Sequence, residues 1–123
     1  MVPGDETYPG YAVVRLDGGL FFATAEALDE RVRTLVQDAD PPLREVVLDM
    51  ESVNFVDSQG AAMLAEILDF TDSVDVRMSL ARVKPAVARV LESDGVLDRL
   101  GPDRVHASLA LAVDPLLAAD RDG

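Results

Sequence analysis

A chain of 123 residues, 49% apolar and with a net charge of −12, has enough apolar surface for one packed domain and too much negative charge to grip the phosphates of nucleic acid or an anionic lipid surface. It has no cysteine and one histidine, His106, which excludes disulfides, thiolate catalysis and a metal site built from clustered histidines or cysteines. No apolar run approaches the ~20 residues that a membrane-spanning helix needs and no signal-peptide pattern opens the chain, so the domain as given reads as soluble and cytosolic.

Residues 1–10, MVPGDETYPG, hold two prolines and two glycines and read as a flexible leader. From Tyr11 the residues alternate: Ala12, Val14 and Leu16 share one face, Tyr11, Val13 and Arg15 the other, which is the period of a strand. Asp17-Gly18-Gly19 reads as a turn and Leu20 to Ala23 as a second short strand closing a hairpin. Thr24 then reads as an N-cap with Glu26 in the first helical turn. Ala25, Leu28, Val32, Leu35 and Val36 recur at helical spacing and predict an amphipathic helix over about 24–37, ended by Pro41-Pro42.

Val46, Val47 and Leu48 are consecutive, as in a central strand covered on both faces. Asn54 to Asp57 carry the chain through a turn into a helix over about 58–71, apolar nearly all round and so deeply buried, with Glu66 and Asp69 on its wet side. In VRMSLARV, Val76, Met78 and Leu80 point one way and Arg77, Ser79 and Arg82 do not, which predicts a strand that is half exposed or faces a thin cover. Pro85 suits a first helical position and Gly95 a helix end, with Val87, Val90 and Leu91 between them. Val96, Leu97 and Leu100 continue a short apolar stretch. RVHASL reads as a short last strand. Ser108 caps a final helix that Asp114-Pro115 interrupts. Strands alternating with helices predict an α/β domain over 11–119, with residues 120–123 as a tail. Its sheet is mixed but mostly parallel, of about five strands backed by about four helices, with the cover heavier on one face.

The stretch VNFVDSQG raises the functional question, because a β-prone run stops at Asp57 and Ser58 and turns straight into a buried helix. Such a corner can hold a nucleophile, an anion, a switch or only a cap. A triad of Asp57, Ser58 and His106 needs all three within hydrogen-bond reach. Nothing in the sequence brings His106 to Ser58, and the turn lacks a G-x-S-x-G elbow, so catalysis is not expected. Arg82 and Lys84 precede a helix start and are candidates for an anion or nucleotide contact, or two solvated basic residues. Ser58 reads as a capping hydroxyl or a phosphosite, and Asp57 as a cap or a contact acid.

VVLDMESVNFVDSQGAAML resembles the signature of the STAS domain: an apolar strand ending in Asp, a loop, a second apolar stretch, then Asp-Ser-x-Gly opening a helix. VVRLDGGLFFATAEAL is similar to the opening of STAS domains of SulP-type anion transporters, with Gly19 where proline is usual and Thr24 where asparagine is usual. The resemblance covers about residues 11–113. It implies a SpoIIAA-like β–α superhelix, no enzyme activity, no cofactor and no metal, and contacts made through Asp57, Ser58, Gln59 and Gly60. It implies a cytoplasmic domain of a membrane transporter whose partner is the membrane domain of the same protein, with a homodimer as one arrangement. The alternative it implies is a free anti-sigma factor antagonist that binds an anti-sigma kinase. In that branch the residue before the glycine carries the phosphorylated hydroxyl. Here that residue is Gln59, which favours the transporter branch.

Overall fold

A computed structural model describes residues 5–122, with the side chains of residues 119–122 left out. The elements run β1 (Glu6–Tyr8), β2 (Tyr11–Leu20), α1 (Phe22–Asp38), β3 (Glu45–Val56), α2 (Ser58–Ser73), β4 (Arg77–Ala81), α3 (Pro85–Ser93), α4 (Val96–Leu100), a 3₁₀ turn (Pro102–Arg104), β5 (Val105–His106) and α5 (Leu109–Asp122). The five strands form one sheet in chain order, β1–β2–β3–β4–β5. β1 is antiparallel to β2, and β2 through β5 are parallel. Each crossover therefore steps one strand in the same direction, and right-handed connections then place their helices on one face.

The packing follows from that rule. Ala12, Val14, Val46, Leu48, Met78 and Leu80 project from the sheet into a single core with Leu28 and Val32 of α1, Leu64, Ile67 and Leu68 of α2, and Val87 and Leu91 of α3. The intervening residues Val13, Val47 and Ala81 project the other way. They meet Ala112 of α5, flanked by Leu109, Val113 and Leu116. Two covers, one thick and one thin, are why Val46, Val47 and Leu48 are all apolar.

Several expectations are corrected. The proposed leader is structured from Asp5: β1 pairs with β2 through a hairpin at Pro9-Gly10, where Gly10 takes φ +93, and residues 1–4 lie outside the described part. The proposed hairpin at Asp17-Gly18-Gly19 is absent. β2 continues through these residues alongside β3, with register shifts between Arg15 and Asp17 and between Gly18 and Gly19. Glycines inside a strand mark bulges as readily as turns, and here the long parallel neighbour decides for bulges.

Thr24 is three residues inside the helix-start position of Phe21. Its Oγ1 accepts from the Phe21 N–H at 3.0 Å and donates to the Gly19 carbonyl at 2.8 Å, so it still ties down the first turn. β3 is one strand from Glu45 to Val56 rather than two stretches split by a loop. Of the two readings of β4, the thin cover holds and half exposure does not: Ala81 lies against Ala112, and Ser79 is buried and donates to Glu45 Oε2 at 3.1 Å, with the Arg77 guanidinium on the same carboxylate at 3.3 Å. A buried hydroxyl with a buried acceptor mimics the exposed half of an alternating pattern. α2 buries one face only, through Gly60, Ala61, Leu64, Ile67, Leu68 and Thr71. α5 runs through Pro115 without interruption and takes in residues 120–122 of the expected tail; Gly123 lies outside the described part.

Candidate functional site

The corner stands where β3 leaves the sheet at its carboxyl end. Val56 is the last buried strand residue. Asp57 has extended backbone (φ −99, ψ 176) and is the N-cap of α2, its Oδ1 accepting from the Gly60 N–H at 2.7 Å. An aspartate here satisfies one of the orphan donors of the first turn and lies at the positive end of the helix dipole. The Asp57 N–H donates to the Leu20 carbonyl at 3.2 Å, and the Ala61 N–H to the Asp57 carbonyl at 2.9 Å. The cap is thus bonded both to its own helix and to the end of β2.

Gly60 sets the closeness of the corner to β2. A Cβ built on it would lie 2.1 Å from the Leu20 carbonyl oxygen and 2.7 Å from its carbon. Only a residue without a side chain lets α2 begin there. Ser58 and Gln59 face outward and are exposed, and neither side chain bonds to a described residue. Asp57, not Ser58, is therefore the capping group, and the Ser58 hydroxyl is left open to solvent at a helix N-terminus. Asp57→Ala is expected to cost about 1 kcal/mol in urea unfolding, with Asp57→Asn nearly neutral because asparagine caps as well. Equal losses in the two variants would contradict the capping role.

The structure does not gather Arg82 and Lys84 into an anion site. Arg82 is held by Asp49, with Nε at 3.1 Å and Nη2 at 2.5 Å, and by Glu51, with Nη1 at 2.6 Å. The hydrogen bond to Asp49 pushes the Arg82 pKa above its ordinary value. Two carboxylates already balance this guanidinium. Lys84 Nζ donates to Asn54 Oδ1 at 2.9 Å. Nor is a triad assembled. His106 lies on β5, which pairs with Ala81 of β4, whose own partner on β3 is Asp49. β3 runs on from Asp49 to Val56 before the corner begins, roughly 20 Å at a strand's rise per residue. Among the described residues, no group of three histidine, cysteine or acidic side chains is placed to hold a metal ion. A cavity of about 950 Å³ opens at the opposite end of the sheet, lined by Asp5, Tyr8, Arg31 and Pro41 among others, and contains none of the candidate residues.

Beside the corner lies a feature that sequence reading missed. Phe21, Phe22 and Phe55 are 41%, 51% and 57% exposed. A Cβ on Gly19 would sit 3.0 Å from the Phe21 ring and 3.6 Å from the Phe55 ring, so both rings lie over that glycine. The same construction on Gly60 reaches the Phe21 nitrogen at 3.2 Å, which joins the rings to the corner. The signal was present: two adjacent phenylalanines at a strand-to-helix junction cannot both face one core. The chain's fourth phenylalanine, Phe70, is by contrast half-buried beneath the Arg33 guanidinium, 4.3 Å from the ring centroid.

Fold and corner together define an α/β domain with α1 to α4 stacked on one sheet face, α5 on the other, and a polar, glycine-sealed turn at the carboxyl end of its central strand. The profile of the STAS domain matches residues 3–112, and the chain belongs to that family. It is 27% identical over 121 residues to sulfate transporter 3.1 of Arabidopsis thaliana, a match covering 91% of this chain and 18% of that protein. It is 28% identical over 123 residues to low affinity sulfate transporter 3 of Stylosanthes hamata, covering 92% and 19%. The chain thus spans about a fifth of the length of these relatives. Among solved structures, the SulP transporter STAS domain from Vibrio cholerae superposes with a TM-score of 0.77 at 19% identity, covering 96% of this chain and 89% of that one. The anti-sigma factor antagonist SpoIIAA in its unphosphorylated form gives 0.73 at 22% identity, covering 92% and 93%. These likenesses establish a SpoIIAA-like fold. Within this family the fold serves regulation and interaction rather than catalysis.

Proposed function

We propose that this chain is the cytoplasmic STAS domain of a SulP-type anion transporter and that it regulates transport through protein contacts at Asp57, Ser58, Gln59 and Gly60. One observation carries the reading. An outward-facing glutamine occupies the position before Gly60, on a turn whose backbone is bonded on both sides. Glutamine has no hydroxyl to phosphorylate, so the corner presents a fixed hydrogen-bonding surface in place of a charge switch. The match to sulfate transporters over nearly all of this chain and a fifth of theirs agrees with a domain joined to a membrane part. The acidic surface complements the basic loops that the positive-inside rule places on the cytoplasmic side of such a part.

The gene tests this first: on this reading it encodes ten or more apolar spans ahead of Met1. In cells expressing that whole gene, Gln59→Arg is expected to lower sulfate uptake several-fold without changing the domain's unfolding midpoint. Uptake equal to the unsubstituted protein would count against the reading. A second reading, a free anti-sigma antagonist, is favoured by one observation, the open Ser58 hydroxyl at a helix N-terminus that would tolerate a phosphate. Stoichiometric labelling of Ser58 by an anti-sigma kinase, lost in Ser58→Ala, would establish it. No labelling is expected.

A further inference from the structure

We infer that Phe21, Phe22 and Phe55 form the apolar half of a docking surface, continuous with the corner, for a protein segment that carries an apolar side chain flanked by lysine or arginine. Single exposed apolar residues are ordinary on protein surfaces, but the Phe21 and Phe55 rings meet over Gly19 and Phe22, next in the chain, is exposed as well, which makes a patch. With about half of each ring exposed, the rings offer roughly 300 Å² of apolar surface. A stable interface needs about 800 Å² on each side. The rings can thus form its dry centre, and the polar groups of 57–60 its rim.

The rim sets the sign of the partner. Glu26 lies one helical turn after Phe22, on the same side of α1. Asp17 precedes Gly19, whose surface lies beneath the Phe21 and Phe55 rings. Asp57 follows Phe55 by two residues. Glu26 and Asp17 are exposed and Asp57 half-buried. Lys84, tethered to Asn54 beside Phe55, is the neighbouring cation. Three carboxylates against one ammonium favour a basic partner, in keeping with the net charge of −12. The same balance disfavours an anionic membrane and a second copy of this chain, both of which would bring like charge to the rim.

The proposal rests on the corner being a contact surface, and peptide titrations of the isolated domain followed by amide NMR shifts test it separately from transport. Three probes serve: a synthetic helix with a leucine face flanked by lysines, its glutamate-flanked counterpart, and a lysine-rich peptide without leucine. The lysine-flanked helix is expected to shift amides within 17–26 and 54–60 and to bind at least tenfold more tightly than the other two. Phe55→Ser is expected to weaken it at least tenfold while leaving the remaining spectrum in place. The double variant Asp17→Lys with Glu26→Lys is expected to reverse the preference toward the glutamate-flanked helix, which a merely structural role for these residues would not do. Shifts elsewhere on the domain, or equal binding by the three peptides, would overturn the inference. So would Phe55-dependent binding to vesicles of phosphatidylcholine and phosphatidylglycerol, which would assign the rings to a lipid surface. Sedimentation showing a dimer lost in Phe55→Ser would overturn it in favour of self-association. If the peptide seats on the rings while Gln59→Arg leaves uptake unchanged, the transporter reading fails and this inference stands.

Discussion

Gly60→Ala is expected to be the most damaging small substitution in the domain, lowering the free energy of unfolding by about 2–4 kcal/mol. The new methyl group would lie 2.1 Å from the Leu20 carbonyl oxygen, and its neighbours there are backbone, not the ends of flexible side chains. Relief requires α2 to move off the end of β2. That movement breaks the Asp57-to-Leu20 hydrogen bond and loosens the cap on which the corner depends. The effect is one of contact, because Gly60 is not among the glycines of positive φ. Gly95→Ala separates the two causes. Gly95 has φ +81 and open space around it, so alanine there meets only backbone strain, about 1 kcal/mol. Urea unfolding of both variants checks this. Equal losses would show that the approach of Leu20 to Gly60 is not the constraint.

Leu64→Ala is expected to cost about 3 kcal/mol, which at an m-value near 2 kcal/mol/M lowers the urea midpoint by roughly 1–2 M. Leu64 is fully buried, one turn after Gly60 on the face of α2 that meets the sheet. Its removal leaves a cavity under the first half of the helix, away from solvent and from Ser58 and Gln59. Amide exchange at 60–64 is expected to speed up by more than the exchange of β3, since the loss is local to the helix that carries the corner. Leu64→Met, which keeps the volume, is expected to cost less than about 1.5 kcal/mol. A midpoint unchanged by alanine would mean that α2 is not held by this face.

The residues that announced the fold most clearly were those whose period had one reading. Met78 and Leu80 share one face of β4, with buried Val76 just ahead of the strand, and Pro85 with Gly95 bracket α3 as expected. Val46-Val47-Leu48 implied cover on both faces, and the alternation of VRMSLARV implied that one cover is heavier; the two core clusters match both. The failures share a cause, which is that a glycine or a polar residue marks a break in a pattern without saying which break. Gly18 and Gly19 are bulges because β3 runs beside them, and β3 lies more than twenty residues further along the chain. Thr7 and Tyr8 are β-prone but sit between prolines and glycines, so β1 was hidden by its neighbours. Ser79 looked wet because Glu45, its buried acceptor, lies far away in sequence.

The candidate site divides along the same line. Asp57 and Gly60 could be placed from local chemistry, since caps and close approaches are decided within a turn and its immediate support. Arg82 could not. Its charge is visible in the sequence, but Asp49 and Glu51, which balance it, come from another strand. The exposed rings divide the same way: Phe21-Phe22 at a strand-to-helix junction signals that one ring faces out, but Phe55 lies in an apolar run and only the structure shows its side without cover.

Photo-crosslinking from position 59 tests the central claim most directly, with a photo-reactive amino acid incorporated at that codon so that the label does not depend on cysteine content elsewhere in the protein. The photo-reactive amino acid at position 59, in the protein expressed from its whole gene, is expected to give a discrete covalent adduct to protein surface outside the STAS domain. The same label at Glu92, exposed near the end of α3, is expected to give none. No adduct from position 59, or equal adducts from both positions, would contradict the account that this domain works by holding an outward-facing polar corner against a partner.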